Sequence, residues 1–121
     1  MNENADKTRI YHNPRCSKSR QTLQILTDKG IDIDIVEYLR QPPDFATLAQ
    51  ILALLGISPR ELMRKNEAIY KDLQLDRDDL GNEELIQAMV DHPQLIERPI
   101  VISNGRAVIG RPPEKILEIL T

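Results

Sequence analysis

One cysteine, one phenylalanine and no tryptophan occur in the 121 residues, and each scarcity removes a class of explanation. A single thiol cannot close an internal disulfide, so the fold must be held by its core, and a lone thiol suits a reducing compartment such as the cytoplasm. Aromatic residues make up 3% of the chain and the net charge is −3. Neither a stacking platform nor a basic face for nucleic acid follows from that composition. No apolar run approaches the roughly 20 residues of a membrane span. The start, MNENADK, lacks the apolar stretch of a secretory signal. The one cysteine and two histidines, His12 and His92, have no metal-ligand spacing. The expectation is a soluble, cytoplasmic, single-domain protein without metal, membrane or nucleic acid.

What is present is strong patterning. Residues 1 to 7 read as a polar tail and TRIYH, 8 to 12, as a short strand ended by the turn-forming Asn13-Pro14. A helix is predicted from Ser17, through Leu23, Ile25 and Leu26, to the capping Gly30. IDIDIVEY, 31 to 38, alternates like a strand. Asp44 is a suitable N-cap, and Leu48, Ile51, Leu52 and Leu55 fall at i, i+3, i+4 and i+7 of an amphipathic helix stopped by Gly56. SPRE, 58 to 61, is a capping box with proline at the first helical position. NEAIYKDLQL and NEELIQAMVDH suggest two further helices, the second capped by Asn82. In the last third RPIVIS and RAVIG flank Asn104-Gly105, the strongest short hairpin signal. A terminal helix is predicted in PPEKILEIL. The order β-α-β, then a helical insertion over about 44 to 92, then β-β-α gives a thioredoxin-like mixed sheet.

The cysteine lies in HNPRCSKSR, in the loop after the first strand and one residue before the helix. Unpaired backbone N–H groups and the positive end of the helix dipole stabilise a thiolate there. Arg15, Lys18, Arg20 and His12 could add positive charge. Free cysteine is often a small buried hydrophobe, but Pro14, Arg15, Ser17, Lys18 and Ser19 are poor core neighbours, so a functional thiol is expected. A C-x-x-C dithiol is excluded, because no second cysteine exists. If Cys16 turns over through a sulfur adduct, the resolving thiol must come from another molecule. A phosphatase loop is excluded as well: Thr22 stands where C-x-x-x-x-x-R needs its arginine. Anion-binding charge must come from elsewhere, and Arg64, Arg98 and Arg111 are the candidates. Solvent is the ordinary place for arginine. Arg98 and Arg111 are distinguished by standing at strand ends, where loops carry sites, and arginine forks suit tetrahedral oxyanions.

Taken together, H-N-P-x-C with S-R, L-M-R-K-N, E-R-P-I-V and R-P-P-E, in this order and spacing, resemble the glutaredoxin-coupled arsenate reductases, the ArsC family. The resemblance covers the chain after the first seven residues. It implies a thioredoxin-like fold with a helical insertion, Cys16 as nucleophile, and Arg64, Arg98 and Arg111 around the oxyanion. It further implies that His12 and Ser19 support the thiolate and that Pro99 is the cis proline of such folds, although the sequence by itself leaves either isomer open. The implied reaction reduces arsenate to arsenite, with glutathione as co-substrate, glutaredoxin as partner and no bound cofactor. One departure stands out: better characterised members resemble H-N-P-x-C-G-T-S-R, where this chain has Ser17-Lys18. It looks closer to the chromosomally encoded branch of the family. Two other readings stay open, a glutathione-dependent thiol reductase of another substrate and an Spx-like regulator that binds RNA polymerase. Oxidation-sensing Spx proteins resemble C-x-x-C, and here Ser19 takes the second cysteine's place.

Overall fold

The computed structural model describes residues 7–120, which form two compact units, one of residues 7–41 with 98–120 and one of residues 42–97. The expected polar tail, Lys7 apart, lies outside the described residues.

The first unit is built on a four-stranded sheet of β1 (Thr8–His12), β2 (Ile33–Glu37), β3 (Ile100–Ser103) and β4 (Arg106–Ile109), in the order β2-β1-β3-β4. β1 runs parallel to β2 and antiparallel to β3, and β3 pairs antiparallel with β4. The parallel pair needs a crossover, and α1 (Ser17–Asp28) supplies it. This is the expected thioredoxin-like order. The helix ends as its sequence foretells: Gly30 takes φ +69°, its N–H reaches Thr27 O, and the Ile31 N–H reaches back to Leu26 O. That is a Schellman motif, in which residues 26 and 31 also meet as apolar partners. Ile31 is thereby drawn into the helix cap, and the strand expected from residue 31 starts at Ile33 instead. Asn104 and Gly105 take φ +56° and +72°, as the tight hairpin turn demands.

Ile10 and Leu26 share a core with Val101, Ile116 and Ile119. The last two correct an expectation. The segment Pro113–Ile119 is a 3-10 helix, not an α-helix. Its buried residues, Pro113, Ile116 and Ile119, recur every third position. A helix of three residues per turn puts all of them on one face. Its final carbonyls are held by the hairpin, with Asn104 Nδ2 donating to Ile119 O at 3.1 Å and Arg106 Nη1 to Glu118 O at 3.0 Å.

The second unit contains α2 (Phe45–Leu55), α3 (Pro59–Leu62), α4 (Ala68–Asp72), α5 (Asn82–Asp91) and a 3-10 turn, Pro93–Leu95. Asp44 caps α2 through Thr47 N at 2.8 Å, and Leu48, Ile51 and Leu52 are its buried face. The Ser58–Glu61 capping box is formed in both directions. At α5 the N-cap is Gly81, not Asn82, which is the first helical residue. Glu84 decides the matter, because its carboxylate accepts the Gly81 N–H at 3.2 Å and so defines the helix start. Arg60 gathers the following loop, donating to Tyr70 Oη, Leu75 O and Arg77 O.

Replacing the fully buried Ile116 by Ala is expected to cost about 2–5 kcal/mol of stability. The exposed Glu118→Ala should stay within about 0.5 kcal/mol. Urea unfolding of the two variants checks both.

Candidate active site

Cys16 is itself the N-cap of α1, with extended φ and ψ of −94° and 123°. Its carbonyl accepts the first helical hydrogen bond from Arg20 N, and its N–H donates to Asn13 O, both at 3.0 Å. Asn13 organises the rest of the loop. Its Oδ1 accepts Arg15 N and its own N–H donates to Ser19 Oγ, each at 3.0 Å. Arg20 braces the turn by donating from Nη1 to Pro14 O at 2.9 Å.

The thiol makes no regular cap hydrogen bond, as expected of a weak acceptor. Its surroundings nevertheless favour the anion. Burial pushes the Cys16 pKa up, but the backbone N–H groups of Ser19 and Lys18 and the charge and hydrogen bonding of Arg98 outweigh it, and the net shift is downward. The helix start thus contributes two donors, and the cation comes from the far end of the sequence.

Ser19 and His12 are buried together, with Ser19 Oγ 2.6 Å from His12 Nδ1. A proton arrangement that satisfies them has Ser19 accepting from Asn13 N–H and donating to Nδ1 of a neutral ring. The ring is neutral for a physical reason: burial lowers its pKa, Arg20 lowers it further, and the Glu37 charge only partly opposes them. His12 therefore adds no positive charge near neutral pH, contrary to the sequence expectation. Its contact with the site is the hydrogen bond to Ser19.

Arg98 and Arg111 meet within the unit that holds the thiol. Arg111 Nη1 donates to Arg98 O at 3.3 Å. The peptide bonds Arg98–Pro99 and Arg111–Pro112 are both cis. Gly110 N–H donates to Pro99 O at 2.9 Å and continues the register beyond β4. Arg64 belongs to the second unit, where its N–H donates to Leu95 O and its guanidinium pairs with Glu67 at 2.9 Å and Glu97 at 3.7 Å. The first unit thus assembles Cys16, His12, Ser19, Arg98 and Arg111, and Arg64 is fixed separately by two carboxylates.

Two participants, Asn13 and Glu37, escaped the sequence reading of the site, and Arg20 enters it only as a candidate charge near the thiol. Asn13 had a signal, since an Asn-Pro pair marks an Asx-type turn. Arg20 and Glu37 act on His12 across strand and loop, and nothing local announces that. Among the described residues no three His, Cys, Asp or Glu side chains gather as a metal ion requires, and no helix is long and apolar enough to cross a membrane.

Known proteins resemble this chain in sequence and in fold. The family model of the ArsC family matches residues 11–119. The uncharacterized protein YfgD of Escherichia coli (strain K12) is 56% identical over 94% of this chain and 97% of that protein. An arsenate reductase of Neisseria meningitidis is 49% identical over 93% of this chain and 97% of its own length. The solved structure of an arsenate reductase from Vibrio cholerae superposes with a TM-score of 0.92 at 46% identity, covering 95% of this chain and 98% of that one.

Two outcomes are expected. Arg98→Ala should raise the Cys16 pKa, because it removes a cation and leaves the burial, and the pH profile of iodoacetamide alkylation reads this directly; an unmoved profile removes Arg98 from the site. The His12 ring should titrate below its ordinary value of about 6.5 in NMR spectra recorded against pH.

Proposed function

Because the chain belongs to the ArsC family, we propose that it reduces arsenate to arsenite with Cys16 as the nucleophile. The observation that carries this reading is the buried thiol at the N-cap of α1, held toward its anion by two backbone N–H groups and Arg98. The same groups that favour a thiolate suit an oxyanion arriving at it.

In the proposed sequence, Arg98 and Arg111 bind arsenate and replace part of its hydration. The Cys16 thiolate attacks arsenic, an arsenate oxygen takes up protons and leaves as water, and a sulfur–arsenic(V) bond forms. The chain has one cysteine, so glutathione supplies the second thiol. Cys16 and that thiol together give two electrons to arsenic, arsenite departs, and Cys16 is left in a mixed disulfide with glutathione. Glutaredoxin restores the thiol by exchange. No separate base is needed to ionise Cys16, because the thiol is already biased toward its anion.

Ser17 and Lys18, both exposed, favour a second reading. They give the mouth of the thiol loop a charge and a backbone different from Gly-Thr, as a related reductase of another oxyanion or of mixed disulfides would have.

Arsenate-dependent NADPH oxidation, coupled through glutathione, glutaredoxin and glutathione reductase, tests the proposal. Activity is expected from the parent protein and none above background from Cys16→Ser. Arg111→Ala should lower kcat/KM by roughly 10²–10³-fold, in the range for loss of one positioned charge-stabilising group. A parent protein inactive with arsenate, yet alkylated at Cys16 at low pH, would discard arsenate and retain the second reading.

A further inference from the structure

Gly110 has no assigned part in the chemistry, yet the chain could not close around it with any side chain present. An added Cβ would stand 2.7 Å from Thr22 Oγ1, 3.2 Å from Thr22 Cγ2 and 3.0 Å from Pro99 Cγ. The first distance is one that real Cβ atoms do not adopt, and neither neighbour can swing away. Thr22 is fully buried within α1 and its hydroxyl is bonded to Lys18 O at 2.8 Å. Pro99 is a ring fixed immediately before β3. Gly110 is also tied by its N–H to Pro99 O, and it directly precedes Arg111, whose side chain reaches Arg98 O. One residue therefore touches the helix that Cys16 caps, the proline that follows Arg98, and the arginine beyond β4.

We propose that Gly110 is a positioning residue for the thiol site: its bare Cα lets the segment after β4 close on Thr22 and Pro99, and that closure sets Arg98 and Arg111 against Cys16. Pushing the segment off α1 separates cation from sulfur, and in a partly buried site such an attraction falls steeply with distance. The inference rests on the reading of Cys16 as a thiolate held by Arg98, and it is independent of which oxyanion is reduced.

The test reads the sulfur, not turnover. Iodoacetamide alkylation of Cys16 is followed against pH for the parent, Gly110→Ala, Thr22→Ala and the double variant, with thermal unfolding to establish that each is folded. Gly110→Ala should lower the alkylation rate at pH 6 by up to about tenfold, the lower end of what a neighbouring opposite charge contributes. Thr22→Ala alone should match the parent, and combined with Gly110→Ala it should restore the rate, because it removes both contacting atoms of the threonine. Thr22→Ile presses on the same glycine from the helix side and should also lower the rate, so the question stays answerable if Gly110→Ala does not fold. A folded Gly110→Ala or Thr22→Ile with the parent profile would show the contact to be packing alone and overturn the proposal. A parent that alkylates like a free thiol would overturn the site reading beneath it.

Discussion

The parallel pairing of β1 with β2 obliges the chain to leave the end of β1, run back through α1 and re-enter the sheet beside its start. A parallel ladder cannot be closed by a short turn, so the end of a strand and the N-terminus of a helix are brought together over residues 13–16. That N-terminus has N–H groups without helical partners, and the residue placed among them is the chain's sole cysteine. Asn13 makes the junction rigid by serving three backbone or side-chain partners at once. The antiparallel return of β3 along the other edge of β1 then delivers Arg98 to the same end of the sheet. Nearly everything chemical about the first unit follows from where that one strand stops.

Local signals in the sequence foretold the elements whose causes are local. The Asn104-Gly105 turn, the Asp44 cap, the Ser58–Glu61 box and the Gly30 terminus all appear where their residues demand. Departures occur where a more distant partner decides. Asn82 is a good cap by type, but Glu84 reaches Gly81 and moves the helix start one residue back. PPEKILEIL contains apolar residues at both three- and four-residue spacings, and only packing against Ile10 and Val101 selects the three-residue set. The site divides the same way. Cys16 was legible from its loop and Arg98 from its place at a strand end, whereas Lys18 and Arg20, nearer in sequence, are not the cations that act on the thiol.

Three arginines show how the fold gives a charge its partners. Arg60 is consumed by one hydroxyl and two carbonyls, Arg20 by the Pro14 carbonyl and Arg64 by two carboxylates. An arginine held on both flanks keeps little conformational freedom, so its ordering cost is met within the fold. His12 shows the opposite treatment. Its ring is buried and kept neutral, and it serves geometry through Ser19.

Cysteine at an N-cap has a thermodynamic consequence that serine or aspartate there would lack. Oxygen caps accept an N–H bond whatever the solution conditions near neutrality, whereas sulfur becomes a good acceptor only once ionised. Capping of α1 is therefore linked to proton release. Cys16 titrates lower in the folded chain than in the unfolded one, so its contribution to folding is complete above the unfolded thiol value of about 8.5 and fades as pH falls through the folded value. A proton, an alkyl group or a second sulfur atom on Cys16 each abolishes the anion and the same share of stability. In many proteins sulfur holds the fold together by bonding to another sulfur; here the fold is tightest while its sulfur is bonded to none.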